Sequence, residues 1–147
     1  TGKENYTATF DVPYEPGTLK AVNSKGKEEF VLKTAGEPAA IRLIADRSKI
    51  KACKNDLSYV KIELVDKNGN VVPETSLPVK IECTGKGTVI AGGNAAYADM
   101  ESFRSLTPNT FRGKAIAIVQ PDGEKGDIQV KVSAKGLEDA SIVITTY

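Results

Sequence analysis

Period-two alternation of apolar and polar residues constrains this chain most, because it recurs wherever the sequence is apolar. Between Tyr59 and Val65, the apolar side chains at 60, 62 and 64 share one face of an extended strand. Branched residues dominate these stretches and favour pleated structure over helix. The pattern predicts ten strands: Tyr6 to Phe10, Leu19 to Val22, Phe30 to Lys33, Ile41 to Ala45, Tyr59 to Val65, Val79 to Cys83, Thr88 to Ala91, Ala115 to Val119, Ile128 to Ala134 and Ile142 to Thr146.

Turn-forming groups separate these strands: Pro13 to Gly17, Ser24 to Lys27, Asp66 to Asn70, Gly92 to Asn94 and Pro121 to Gly126. Asn68-Gly69 is a hairpin signal because both residues tolerate positive φ. The best helical candidate, Ala95 to Ser105, is at most a turn or two. Strands at this spacing are typical of a sandwich or barrel, and we predict an all-β, immunoglobulin-like β-sandwich.

A small-residue and proline break from Thr34 to Pro38 divides the chain. Seven predicted strands follow it, which is enough for a complete sandwich, whereas the three before it cannot close one. We therefore expect residues 1–36 to be the trailing strands of a preceding β-domain and residues 37–147 to be the sandwich. The first segment should expose strand edges or dock on its neighbour. Thr1 is not a start methionine and no signal-like segment follows, so we expect the chain to begin inside a longer protein.

Composition excludes several classes of function. The chain is 40% hydrophobic and 27% charged without a long apolar run, which predicts a soluble domain with no membrane partner. Its 20 basic and 19 acidic residues are scattered along the chain, so no nucleic-acid surface is predicted. Histidine is absent, which removes the commonest general base and zinc ligand. We predict no cofactor.

The two cysteines, Cys53 and Cys83, allow two interpretations. Cys83 is in phase with Val79 and Ile81, which predicts a core-facing thiol that behaves as a small hydrophobe. In an oxidising compartment the pair could instead form a disulfide, stabilising by about 3–4 kcal/mol. Both alternatives stay open, because sequence does not show whether their Cα atoms come within about 7 Å.

Motifs spread over nearly the whole chain carry a resemblance. Val12 to Val22 and Thr34 to Pro38 are similar to the end of the small β-domain that follows the catalytic barrel in glycoside hydrolase family 2 enzymes of gut Bacteroides-type bacteria. Other segments resemble the C-terminal immunoglobulin-like domain of the same enzymes: Val65 to Pro73, Gly92 to Asn94, Glu101 to Phe103 and Phe111 to Lys114. Many relatives have a further glycine where Ala95-Ala96 stand here.

The resemblance implies a parent enzyme that hydrolyses terminal β-galactosides, or related sugars, by the retaining mechanism, in the bacterial periplasm or outside the cell. The catalytic glutamates of such enzymes lie in the upstream barrel, and no residue here matches them. A retaining site needs two carboxyl groups about 5–5.5 Å apart. Glu63 and Glu82 alternate with apolar positions and are expected to face solvent, so this chain is predicted to have no catalytic residues.

Turn aspartates suggest metal binding as an alternative. Asp66, Asp122 and Asp127 flank turns, and hard cations prefer oxygen ligands. The alternating acids and closing glutamate of an EF-hand are missing. We therefore expect the aspartates at 66 and 122 to bond nearby backbone amides, and we predict no metal site.

Tyr97 and Phe103, in the long Gly92 to Pro108 connection, are candidates for contact with a sugar or a partner. Alternatively, Phe103 and Phe111 anchor this loop on the core and Tyr97 is ordinary surface. Tryptophan, the best sugar platform, is absent.

Three functional hypotheses follow. The first is an accessory domain that packs against the catalytic domain of the parent enzyme or a second subunit. The second is a carbohydrate-binding module. The third is a spacer in a surface adhesin, since the segment Asp66 to Asn70 also resembles invasin-like sandwich repeats; the motifs at 12–22 and 34–38 argue against it.

Overall fold

The computed structural model describes residues 3–4, 7–23 and 26–147, and every regular element in that part of the chain is a β-strand. The all-β prediction is therefore confirmed. The strands are β1 (Lys3–Glu4), β2 (Thr7–Ala8), β3 (Thr18–Val22), β4 (Glu29–Lys33), β5 (Ala40–Ala45), β6 (Lys49–Ile50), β7 (Ser58–Val65), β8 (Val79–Gly85), β9 (Gly87–Gly93), β10 (Lys114–Pro121), β11 (Gly126–Ala134) and β12 (Ala140–Thr146).

The nine strands predicted from Leu19 onward all form, extended by up to two residues at either end. The prediction of a strand from Tyr6 to Phe10 was too long: only Thr7–Ala8 forms one, and Tyr6 lies outside the described residues. The predicted turn at Ser24 also falls partly outside them, at residues 24 and 25. β1 and β6 were not predicted, because two residues are too few to show alternation.

Contacts divide the chain into two units, Thr1–Thr34 and Ala35–Tyr147. In the first, β1 pairs with β2 and β3 pairs with β4, both antiparallel. The first unit therefore consists of small two-stranded sheets without a second layer in its described residues.

The second unit is a sandwich of two four-stranded sheets, with orders β5-β7-β10-β9 and β6-β12-β11-β8. All neighbours are antiparallel except β6 and β12, which are parallel. The predicted sandwich is confirmed. Its core is made by the inward-facing residues of both sheets: Ile41, Ile50, Val60, Ile62, Leu64, Val79, Ile81, Val89, Ala115, Ala117, Val119, Ile128, Val130, Val132 and Ile144.

The predicted hairpin at Asn68-Gly69 forms after β7, where Val65 bridges Val71. Of the two residues that tolerate positive φ, only Gly69 adopts it here, with a φ of 79°. The Asp66 carboxylate stabilises the turn, because its Oδ1 accepts the backbone N–H groups of Asn68 at 2.9 Å and of residue 70 at 2.8 Å.

The connection from β9 to β10 contains turns and no helix, so Ala95 to Ser105 is not helical. Its second half, residues 103–110, is here called the return segment. This segment lies against the edges of both sheets, β8 in one and β9 in the other. It accepts three backbone hydrogen bonds: Gly92 N to Phe103 O at 2.7 Å, Ile81 N to Leu106 O at 2.7 Å and Val79 N to Pro108 O at 3.0 Å. The return segment therefore covers strand edges that would otherwise be open.

Across the described ranges, the chain has no helix with the length and apolar character needed to span a bilayer.

Candidate functional site

The tip of the β9–β10 connection carries exposed apolar side chains on a polar frame. Tyr97 is 100% exposed and Phe103 69%, and Met100 between them is also exposed. Asn94 holds the base of the tip: its Oδ1 accepts the Ala96 amide at 2.7 Å, and its Nδ2 donates to the Asn109 carbonyl at 2.9 Å. The tip therefore has a defined backbone, although Tyr97 itself is not packed.

Asp99 also stabilises the hydrogen-bonded base of this tip. Its Oδ1 accepts the Glu101 backbone N–H at 2.9 Å, and its Oδ2 accepts Asn94 Nδ2 at 2.5 Å. These bonds, the one from Glu101 first, hold the pKa of Asp99 below its ordinary value. Asn109 Nδ2 donates to Glu101 Oε1 at 2.9 Å and closes the network. An ionised carboxylate with its oxygens already bonded is part of the frame rather than a free acid.

Phe103 leans on the outer face of a sheet. A Cβ built on Gly93 would lie 2.8 Å from Phe103 Cδ1, so the ring occupies the space that a side chain at 93 would fill. Gly93 pairs with Ile116 of β10, whose side chain points away from the core. Phe103 therefore anchors the loop on the outside of the sandwich. The half-buried Phe111 instead carries the Arg112 guanidinium 5.6 Å above its ring.

A small cavity lies between this loop and the end of β9. Its volume is about 30 Å³, and its lining includes Asn94, Asp99, Glu101, Ser102 and Phe103. A water occupies about 30 Å³ of the bulk liquid and needs roughly 10–15 Å³ of probe-occupied space, so the cavity admits one or two waters. A sugar ring does not fit inside it. Any sugar here would have to stack on the exposed rings of the tip.

The prediction that Glu63 faces solvent was wrong. Glu63 lies on the outward side of β7 as its phase indicated, but it is only 3% exposed rather than solvent-facing. Arg42 donates to Oε2 from Nε at 2.9 Å and from Nη2 at 2.6 Å, and Lys61 Nζ lies 3.2 Å from Oε1. Burial opposes ionisation, yet the hydrogen bonds from Arg42 and Lys61 outweigh it and lower the pKa of Glu63. A carboxylate held ionised by two cations is unsuited to donate a proton. Glu82 is exposed, as predicted.

The turn aspartates bond backbone amides as predicted. Asp66 is buried, and hydrogen bonds, first from the Gly36 amide at 2.9 Å and then from the Asn70 side chain, lower its pKa to about 2. Asp122 Oδ1 accepts the Glu124 amide at 2.9 Å. Asp127 differs, because its Oδ1 accepts the Thr145 hydroxyl on the neighbouring strand. Over the described ranges, no group of three or more acidic or cysteine side chains is arranged to hold a metal ion.

Both cysteines are free thiols in the structure. Cys53 is exposed in the turn that follows β6. Cys83, on β8, packs partly buried against the core, with Sγ 3.6 Å from the Gly87 carbonyl oxygen. Burial raises the pKa of the Cys83 thiol, so it is the less reactive of the two.

The β3–β4 hairpin of the first unit has one wholly apolar face. Leu19 lies opposite Leu32, and Ala21 opposite Phe30. All four side chains are exposed, the three large ones by half or more. The other face is mixed: it carries an ion pair between Lys20 and Glu29, and also the exposed side chains of Val22 and Val31. An amphipathic hairpin of this kind is suited to cover a second apolar layer.

Comparison with known proteins adds the following findings. A family model described as glycoside hydrolase family 2 C-terminal domain 5 matches residues 41–143. The chain is 32% identical over 145 residues to the β-galactosidase BoGH2A of Bacteroides ovatus, covering 97% of this chain and 17% of that protein. It is 30% identical over 123 residues to a β-galactosidase of Thermoanaerobacter pseudethanolicus, covering 78% of this chain and 16% of that protein.

Among solved structures, a glycosyl hydrolase family 2 member from Bacteroides cellulosilyticus superposes with a TM-score of 0.87. The two are 39% identical, and the match covers 92% of this chain and 18% of the other. This chain thus spans less than a fifth of the length of each of these relatives.

Proposed function

Since the chain belongs to the glycoside hydrolase family 2 C-terminal domain 5 family, we propose that it is a non-catalytic accessory region of a larger, β-galactosidase-type hydrolase. Two curated relatives that support this are β-galactosidases of which the chain covers only 17% and 16%. The accessory role is to support the rest of the parent enzyme through contact with its other domains or with a second subunit. The parent is proposed to act in the bacterial periplasm or outside the cell.

The chemistry of the described acids supports the non-catalytic part of this proposal. A retaining glycosidase keeps one carboxyl group protonated by raising its pKa, while a second carboxylate lies about 5–5.5 Å away. The well-organised acids here, Glu63, Asp66 and Asp99, all have lowered pKa values, because hydrogen bonds to their carboxylates favour the ionised form. None of the three is therefore suited to the role of general acid.

The observation that carries the proposal is the exposed apolar face of the β3–β4 hairpin. A face made only of Leu19, Ala21, Phe30 and Leu32 is costly to leave in water, and this continuous apolar surface indicates a missing apolar layer. Fully burying a Leu or Phe side chain contributes about 1.5–3 kcal/mol. Because the three large side chains are already partly covered, docking of this face would contribute about 3–5 kcal/mol in total.

The first test compares the parent enzyme with the isolated chain, using a nitrophenyl β-galactoside as substrate. We expect the parent to hydrolyse it and the isolated chain to show no turnover. Hydrolysis by the isolated chain would overturn the non-catalytic role. A parent inactive on this and related glycosides would overturn the assignment to a hydrolase.

A second test addresses the structural role through Phe30→Ser, with Lys33→Ser on the opposite face of the same hairpin as the matched control. In the parent, Phe30→Ser should lower the thermal midpoint and Lys33→Ser should not, because only the first removes apolar area from the proposed contact. In the isolated chain, where the Phe30 side chain is exposed, neither substitution should shift the unfolding of the sandwich. Equal midpoints for both variants in the parent would refute the contact.

Carbohydrate binding is the second candidate function, and the exposed ring of Tyr97 favours it. Calorimetry of the isolated chain against galactose-containing and other glycans at millimolar concentration tests it, with Tyr97→Ala as the variant. Saturable heat that is lost in the variant would support a sugar-binding tip. If no glycan in the panel gives binding heat, the supporting role stands as the proposed function. The adhesin spacer is the least favoured candidate, since the family match is to a hydrolase domain.

A further inference from the structure

The two outer faces of the sandwich differ in character. The outer face of the β6-β12-β11-β8 sheet carries mainly charged and polar side chains, including a Lys80–Glu82 ion pair at 2.6 Å. The large apolar side chain of Val143 on this face is 47% exposed. A face of this composition is typical of a surface in contact with water.

The outer face of the β5-β7-β10-β9 sheet carries large apolar side chains on three of its strands, next to charged ones. In register, Ile44 of β5 lies opposite Lys61 of β7, which lies opposite Ile116 of β10. In the next row on the same face, Tyr59 lies opposite Ile118. Ile44, Tyr59 and Ile116 are each about 40% exposed, and Ile118 is half-buried. Large apolar residues thus stand at positions where a solvated sheet face would carry polar ones.

Phe103 extends this surface beyond the sheet. Ile116 lies opposite Gly93 of β9, and the Phe103 ring covers Gly93 from outside. The apolar surface therefore runs from β5 across β7 and β10 to the loop. We call it the apolar face and define it by Ile44, Tyr59, Phe103, Ile116 and Ile118.

The carboxylate buried beside the apolar face, Glu63, is already paired, and Lys114 opposite it on β10 is exposed. Glu63 lies on the same side of β7 and accepts hydrogen bonds from Arg42, while Lys61 binds its other oxygen. Burying an unpaired charge costs several kcal/mol, whereas a carboxylate with its cations in place loses much less. The apolar face can therefore be covered without leaving Glu63 unsatisfied.

We propose that the apolar face docks against another domain of the same polypeptide, an inference that rests on the proposed function and adds a second contact surface to the β3–β4 hairpin. Its side chains expose roughly a few hundred Å², whereas a stable complex of separate proteins buries about 800 Å² on each partner. Interdomain contacts within one chain begin at about 600 Å² in total, since the linker keeps the local concentration high. The chain covers only 18% of a matched relative of known structure, so a parent of that size contains ample polypeptide to cover the face.

The experiment is carbene footprinting with mass spectrometry, applied to the parent enzyme and to the isolated chain. We expect labelling of Tyr59, Phe103 and Ile116 to fall several-fold in the parent. Val143, on the opposite face and similarly exposed in the isolated chain, is the internal control and should be labelled equally in both. Equal labelling of the apolar face in an active parent would overturn the inference and leave the proposed function standing.

Two further outcomes distinguish a second copy from another domain of the same chain, and the docking from the proposed function. Protection of Ile116 that disappears when the parent is diluted would identify a second copy as the occupant and overturn the intramolecular contact. Protection of Ile116 in a parent without glycosidase activity would support the docking while overturning the proposed function.

A pair of substitutions checks the result independently. Ile116→Glu should lower the thermal midpoint of the parent, whereas Val143→Glu should leave it unchanged, because only the first places a charge in the docked surface. In the isolated chain the two variants should unfold alike. Equal effects of the two variants in the parent would contradict the docking.

Discussion

The two-residue turn before β10 gives the sharpest test of how the backbone is held. Phe111 and Lys114 exchange backbone hydrogen bonds of 2.8 and 3.0 Å across Arg112 and Gly113. These central residues have φ values of 52° and 71°, as a type I′ turn requires. We predict that Gly113→Ala is severely destabilising.

The magnitude follows from the backbone angle of Gly113 and from two of its contacts. An alanine with this positive φ costs about 1–2 kcal/mol. Its Cβ would lie 2.3 Å from the Val72 carbonyl oxygen, a backbone atom that cannot rotate away. The displacement required would break the 2.8 Å bond from Leu64 N to Gly113 O, and Leu64 is fully buried. An unsatisfied buried N–H costs about 1–3 kcal/mol, so the total is about 2–5 kcal/mol.

Gly136→Ala is the matched control for this prediction. Gly136 has a φ of 82°, but no atom lies within 4 Å of the position its Cβ would take, so only the backbone strain of about 1–2 kcal/mol applies. Urea unfolding of both variants, followed by far-ultraviolet circular dichroism, measures the difference. We expect Gly113→Ala to be less stable than Gly136→Ala by about 1–3 kcal/mol, the cost of the lost hydrogen bond. Equal unfolding free energies would refute the argument from close approach.

Three further predictions concern charge and thiol chemistry. The pKa of Asp66 is lowered to about 2 in the folded state, so its contribution to stability is full above about pH 4 and is lost as the pH falls toward 2. In a stability–pH profile measured by urea unfolding, Asp66→Asn should therefore flatten the part between these two pH values. Arg42→Met should lower the free energy of unfolding by about 1–2 kcal/mol, because Glu63 loses two of its hydrogen bonds; an unchanged urea midpoint would contradict it. Thiol titration of the unfolded chain should count two free sulfhydryls, with Cys53 reacting first in the native protein; a count of zero would establish the disulfide instead.

Alternation predicted the strands well where one face is core and the other is solvent. In β7 and β11 the residues placed inside by phase, such as Ile62 and Val130, are fully buried. The segment Ala115 to Val119 is apolar throughout, so its phase did not indicate that Ile116 points outward. That information depends on which strands flank β10, and sheet order is not encoded in local periodicity.

Glu63 shows a second limit of sequence analysis. Its phase was interpreted correctly, but an outward position is normally solvated, and here two long cationic side chains cover it. One of them, Arg42, comes from β5, which is paired with β7 only in the folded sheet. The turn chemistry of Asp66 was predictable in part: its bonds to residues 68 and 70 are local, whereas its bond to Gly36 spans 30 positions.

The return segment bears on where this domain tolerates changes in length. Insertions near Tyr97 would enlarge a projecting tip without removing a backbone partner from either sheet. Deletions within residues 103–110 would instead strip the acceptors from the amides of Val79, Ile81 and Gly92. One connection is thus split into a variable half and a fixed half, and loop grafting or natural diversification should succeed only in the first.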